Sequence, residues 1–397
     1  MVDDIDIIVV GSGVVGLAAA AALNVSPGAQ WRIVVIDSGE APAESAASIS
    51  SLRVSALSPT SIDVLDKAGA WAGIAALAQP FTDMRVWDAE TSPFAGAAVH
   101  FDATDIGVAA LGSIVENDRV RAALIGALTS AGVAIRFGQR LVGLRRNRSS
   151  VSVELADGQA LTARLVIAAD GANSQVRRWL RIPSATKHYE QHALVCHVES
   201  QHPHDQTAWQ QFNTDGPLAL LPLADGRSSV VYSTTQQRAA ELAGAADDEL
   251  GAALTAASNA ALGTLTVASR RASFPLAAAQ ADRYVADRVA LIGDAAHRVH
   301  PLAGQGANLG VADAELLAAS LAAAGRNADP GDAALLAGFA RARRREAKQM
   351  IIALDVLQRL FTNESTTLQR LRTTGMRWFN ANSTMKRLVA RSAMGLG

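Results

Sequence analysis

Three glycine-marked turns, each following directly on a short apolar run, constrain this chain more than any other feature. Residues 5–10 lead into Gly11-Ser12-Gly13-Val14-Val15-Gly16. Residues 161–169 lead into Asp170-Gly171-Ala172-Asn173-Ser174-Gln175-Val176-Arg177. Residues 289–292 lead into Gly293-Asp294-Ala295-Ala296-His297, and the chain continues to Pro301-Leu302-Ala303-Gly304-Gln305-Gly306-Ala307-Asn308. A short β-branched run stopped by glycine reads as a buried parallel strand. Loops at the carboxyl ends of such strands are where open α/β sheets bind ligands. Three of them spread over almost 300 residues suit a long ligand that must be held at its middle and both ends. Each is weak alone; the ordered set is strong.

In Gly11–Gly16 the first glycine makes the tight turn and the second lets backbone approach a pyrophosphate. The third, Gly16, lets the helix pack close on the strand. That helix reads as Val14 to Leu23, and its N-terminus offers roughly half a positive charge to the phosphates. Trp31 to Ile36 reads as the next strand, closed by Asp37, which lies 21 residues after Gly16. A carboxylate there accepts hydrogen bonds from an adenosine ribose and repels a 2′-phosphate, favouring FAD or NAD over NADP. The bland alternative is an ordinary glycine-rich turn, and the complete strand, helix, strand and acid weigh against it. Asp170-Gly171 is by itself a common turn. Gly293-Asp294 offers a carboxylate for ribityl hydroxyls. Gly304–Asn308 bares backbone N–H groups which, at a flavin pyrimidine edge, would stabilise the negative charge of the reduced ring.

The fold class expected is α/β: a Rossmann-like, glutathione-reductase-type FAD domain with an inserted, mostly antiparallel substrate sheet and a helical C-terminus. Residues 1–75, 103–185 and 273–345 would form the FAD domain, 76–102 and 186–272 the substrate domain, and 346–397 the helical region. The apolar run 7–23 has Asp3, Asp4 and Asp6 upstream, where a signal peptide carries Lys or Arg, so it reads as a core segment rather than a leader or span. No other segment reads as apolar enough to span a membrane. A net charge of −1 gives no reason to expect nucleic acid. The single cysteine, Cys196, excludes an internal disulfide and reads as a core residue; no HExxH, CxxC or other metal cluster occurs. Residues 341–397 hold twelve Lys or Arg against Glu346, Asp355 and Glu364, a local charge of +9 that fits an anionic surface. There Met350, Leu354, Leu357 and Phe361 fall on one helical face. They read either as a helix resting on a membrane or lipid-carrying partner or as one packed on the core with a solvated basic end.

These motifs, in this order, resemble the single-component flavoprotein aromatic hydroxylases. Over nearly its full length the chain is similar to the ubiquinone-biosynthesis hydroxylases. The matching stretches include Leu52-Arg53-Val54-Ser55-Ala56-Leu57, Met84-Arg85-Val86-Trp87-Asp88, Leu111-Gly112-Ser113-Ile114-Val115-Glu116-Asn117, Gly216–Leu223 and Phe274-Pro275-Leu276. Residues 52–57, 161–177 and 192–204 are worded most like the octaprenylphenol hydroxylase type that acts at ring carbon 5. Ser113 departs from the family, whose members often carry an aromatic residue or His there. The resemblance implies FAD held by Gly11, Gly13, Val14, Val15, Gly16, Asp37 and Arg53 toward the N-terminus. Farther along it implies Asn117, Asp170, Gly293, Asp294, Pro301, Gly304, Gly306, Ala307 and Asn308. It also implies NAD(P)H as donor without a second nucleotide domain, and O2 as co-substrate, added to reduced flavin as a C4a-hydroperoxide that hydroxylates a phenol ring.

Pro301 is expected beside that ring, and His297 is the candidate acid or base, with His300 as another. Leu218, Leu220, Phe212 and Pro222 are expected to wall a passage for a prenyl tail. The main reading is thus a monooxygenase acting on a polyprenylphenol, in the cytoplasm, at the inner-membrane periphery or in a soluble complex with other ubiquinone-biosynthesis proteins. A hydroxylase of soluble aromatics or a reductase of the same fold is the second reading. A non-catalytic flavin- or lipid-binding assembly subunit is the third.

Overall fold

The computed structural model describes residues 5–27, 31–42, 51–300, 304–325, 327–361 and 366–396. Its first strand, Ile5–Val10, is buried at every position. The strand pairs in parallel with Ala160–Ala168 on one side and Ile33–Ile36 on the other. Val289–Leu291 joins in parallel beyond Ala160–Ala168. Neighbouring strands lie about 4.8 Å apart. The Gly11, Asp170 and Gly293 turns therefore leave adjacent strands at the same carboxyl edge, as the sequence pattern requires. The helix Val14–Val25 returns behind the sheet with Leu17 and Leu23 buried. A Cβ on Gly16 would lie 2.0 Å from the Gly11 carbonyl oxygen, so only glycine allows this closeness. The helix Gln305–Ala324 crosses the same layer. Its residues 306–324 are long and apolar enough to cross a membrane, contrary to the expectation for segments beyond residue 23. Leu317 and Leu321 instead bury themselves in the core beside Leu17 and Ala20.

The second sheet has nine strands and is antiparallel except where Thr207–Asn213 runs parallel to Asp83–Asp88. It extends past the expected boundary at 272, because Ala272–Ala281 pairs along the 17-residue strand Ser184–Ser200. Gln79–Phe81, expected within the substrate domain, pairs instead with Gly112–Glu116 in a separate three-stranded sheet. Strand parity assigns the two faces. Trp209, Leu218, Leu220, Val230 and Tyr232 pack on the far side with Leu242, Leu250 and Leu254, from the helices Gln236–Gly244 and Asp247–Ala257. Ala208, Gln210, Ala219, Leu221, Val231 and Ser233 look the other way, into a cavity. Leu218 and Leu220 therefore do not wall a tail passage: period-2 alternation turns them into the helix-covered core. Phe212 stacks at 3.9 Å on Phe361, and Pro222 does not line the cavity.

The helix Ala333–Phe361 buries Leu354 and Phe361 and half-buries Met350, while Leu357 stays 41% exposed. That face is core packing, apart from Leu357. Helices Thr366–Ala381 and Ser383–Ala393 follow.

Candidate functional site

Gly11 adopts φ +107°, and a Cβ there would sit 2.3 Å from the Ala169 carbonyl oxygen. Its neighbour Ser12 donates its N–H to Asp37 Oδ2 at 2.5 Å, and Gly39 N–H donates to Oδ1 at 2.6 Å. Burial would raise the Asp37 carboxyl. The backbone donors of Ser12 and Gly39, with the Arg121 charge behind them, outweigh it and hold the group below its ordinary value. Asp37 is thus a carboxylate at neutral pH, lining a 320 Å³ cavity with Gly11, Gly13 and Asp170. Asp170 Oδ2 accepts the Val176 N–H, and Ser174 Oγ caps the same short helix by accepting from Arg177 N. Arg177 in turn donates to Ala295 O at 2.7 Å and Ala172 O at 2.8 Å, tying the second turn to the third.

A larger cavity of 510 Å³ meets the first at Gly13, Ala169 and Gly171. Val14, Val15, Arg53, Asn117 and Asp294 line it, with Gly304, Gly306 and Ala307 at its far side. One continuous track therefore runs from Asp37 to Gly306, long in the way a dinucleotide is long. Its residues fit FAD: a Cβ on Gly13 or Gly306 would meet nothing within 4 Å, so both leave backbone open to the track. A helix N-terminus stands at each of these glycines, the favourable end for phosphate or for electron-rich oxygen.

Other expected residues act from behind the wall. Gly293 adopts φ +55° and packs against Val15, where a Cβ would be 3.0 Å from Val15 Cγ1. Asn308 accepts the Ser58 N–H at 2.9 Å and donates to Ala56 O at 2.8 Å, clamping the strand Val54–Leu57 to the helix Gln305–Ala324. His297 does not face the cavities; its Nε2 lies 2.6 Å from Asp313 Oδ2, deep in the core. Asp313 also accepts from Gly293 N at 2.8 Å and Arg343 Nε at 2.6 Å. Complete burial would raise this carboxyl, but His297 and Arg343 together lower it. His297 is thereby committed to holding the Gly293 turn, and its candidacy as acid or base falls to that geometry. His300 is buried against the edge of Tyr189, and burial pushes its imidazole down to about 4, so it is neutral at pH 7. Cys196 is buried with its thiol pushed up to about 12, a core residue as expected. Pro301 lies outside the described residues.

Arg121 belongs to the site although the sequence reading misses it. From the helix Asn117–Ser130 it donates to Ser12 O at 2.8 Å and Ser12 Oγ at 2.9 Å, and it lines the larger cavity. Its guanidinium thus stands beside the Gly11–Gly16 turn.

A third cavity, of 110 Å³, opens beside the far end of the track and shares Val54 and Gly304, with Val231, as common wall. Phe81, Met84, Ile114, Ala219 and Leu221 make it apolar. No acidic, basic or histidine side chain lines it among the described residues. No cluster of His, Cys, Asp or Glu suited to a metal occurs among them either.

The sequence matches the FAD binding domain family over residues 4–353. It is 34% identical over 432 residues to the mitochondrial ubiquinone biosynthesis monooxygenase COQ6 of Danio rerio, covering 97% of this chain and 88% of that one. Against the ubiquinone hydroxylase UbiL of Rhodospirillum rubrum, identity is 36% over 392 residues, covering 98% and 89% of the two chains. Among solved structures, p-nitrophenol 4-monooxygenase PnpA of Pseudomonas putida DLL-E4 superposes with a TM-score of 0.78. Its identity is 19%, and the match covers 99% of this chain and 98% of that one, a likeness of fold.

Proposed function

The chain belongs to the FAD-dependent ubiquinone-biosynthesis hydroxylases, and from that membership we propose that it hydroxylates the ring of a polyprenylated phenol, with NAD(P)H as donor and O2 as co-substrate. One observation carries the substrate class: the apolar third cavity shares a wall with the flavin end of the track and has no charged lining among the described residues. A ring placed there is shielded from water and lies beside the reacting end of the cofactor.

In this reading Gly11, Gly13, Val14 and Val15, with Arg121 behind them, hold the pyrophosphate, and Asp37 and Asp170 face the adenosine end. Arg53, Asn117, Asp294, Gly304, Gly306 and Ala307 hold the flavin end. Gly16, Gly293 and Asn308 keep those walls in place. When bound, FAD supplies hydride acceptance and the activation of O2. One oxygen atom enters the ring as hydroxyl and the other leaves as water, with NAD(P)H supplying two electrons. The protein's own share is to orient the ring and exclude water.

The substrate's tail calls for access to lipid. Trp378 and Leu388 are more than 60% exposed, and Met385 and Val389 join Leu388 on one face of the last helix. Arg377, Arg387 and Arg391 are exposed among them. Ala390 and Met394 on the other side of that helix pack with Phe81, Ile114 and Ala208, which line the third cavity. The basic, apolar surface therefore backs onto the substrate wall and suits an anionic membrane at the cytoplasmic face, with the chain alone or in a complex of ubiquinone-biosynthesis proteins.

Cells lacking the chain should accumulate a prenylated ring one hydroxyl short, restored by the chain, with ¹⁸O from ¹⁸O2 in the product. Unchanged lipids would remove the proposal. A reductase of the same fold would oxidise NAD(P)H without O2 uptake, and a non-catalytic subunit would do neither.

A further inference from the structure

We infer that Gln210 is the specificity-determining residue that reads the oxygen substituent of the substrate ring. The inference rests on the proposed phenol hydroxylation and deepens it. Gln210 sits mid-strand on Thr207–Asn213, is only 6% exposed, and faces the third cavity. Across the sheet its register partners are Ala219, then Val231, then Val195. Val231 and Val195 also line the flavin end of the track. At about 4.8 Å per strand, Gln210 stands roughly 10 Å from Val231, across a space that one aromatic ring and its oxygen would fill.

The chemistry of the lining singles this residue out. Gln210 and Ser233 supply its hydrogen-bonding side chains; Trp209 also borders it, but its ring packs on the helix-covered face and its Nε1 is buried there. Among the described residues neither Gln210 nor Ser233 has a side-chain hydrogen-bond partner. The adjacent Gln211, pointing to the opposite face, is tied to Asn213 Oδ1 at 2.7 Å. The Gln210 amide is not among the sealed polar atoms and so stays open to the cavity, where a group that arrives with the ligand can pair with it. The Gln210 carbonyl can accept from a phenol O–H, and its NH2 can donate to a phenol or phenolate oxygen. Being neutral, it does so without placing a charge in the cavity. Fixing that oxygen fixes which ring edge meets the flavin end. Ser233 is the secondary contact.

The test uses the FAD-loaded protein and two probes: 2-geranylphenol and geranylbenzene, which lacks the oxygen. Dissociation constants are read from the change in flavin fluorescence. Wild type should bind the phenol more tightly. Gln210→Leu should weaken phenol binding about ten- to a hundredfold and leave geranylbenzene unchanged. Gln210→Met, closer in length, should repeat that pattern and so separates lost hydrogen bonding from lost packing. Unchanged phenol affinity in both variants, or equal loss for both probes, overturns the assignment while leaving the proposed function standing. Wild type that binds neither probe removes the proposed function, and this inference with it.

Discussion

At the scale of single residues, the glycines of the first turn do two different jobs that substitution separates. Gly13→Val projects carbons into the open track and should abolish FAD retention while the fold survives; the check is the ratio of flavin to protein absorbance beside the melting temperature. Gly16→Ala meets the Gly11 carbonyl at 2.0 Å and should lower the melting temperature itself. Asp37 carries a pH signature. Its folded value lies below the ordinary 3.8, so its contribution is complete above that value and is lost as pH falls through the lower folded one. The pH dependence of the unfolding free energy should show this step in wild type and lack it in Asp37→Asn. The glycines and Asp37 are readable in the sequence because their roles depend on near neighbours in the chain. Arg121 is not, because its use depends on a helix more than a hundred residues from Ser12 crossing behind the turn. Gln210 is hidden for another reason: only the register of three strands tells which face of its strand meets the cavity.

At the scale of elements, the Asp313 carboxylate is where three parts of the nucleotide layer are pinned together. It joins the Gly293 turn, the two-residue strand His297–Arg298 and the helix Ala333–Phe361 through Arg343. Arg343→Met leaves a fully buried carboxylate short of its guanidinium and should cost about 3–5 kcal/mol, measured by denaturant unfolding. His297→Asn should lower flavin affinity and stability without shifting the pH dependence of turnover; a shifted pH profile would return His297 to the reacting groups. The sequence locates the strands themselves well, since short β-branched runs ending in glycine leave little choice. It misassigns Leu218 and Leu220 because alternation tells that two faces differ, not which one a helix will cover. The boundary at 272 fails likewise, since Ala272–Ala281 reveals its sheet only through long-range pairing with Ser184–Ser200.

At the scale of the whole molecule, the basic C-terminal surface predicts a measurable partition. Flotation with vesicles containing anionic lipid should carry the protein, less so at high salt, and Leu388→Glu with Trp378→Ser should leave it in solution with its flavin intact. Binding that is equal for neutral vesicles would exclude the charged component. The helix Ala333–Phe361 also touches both halves of the molecule: Arg343 enters the nucleotide layer at Asp313, and Phe361 stacks on Phe212 of the second sheet. Arg372, just beyond, pairs with Asp88 and donates to the Phe361 carbonyl. That single helix works as a splint. The nucleotide layer and the second sheet are fastened to one rod, so a cut within it should disable oxygenation even with every residue lining the cavities left in place.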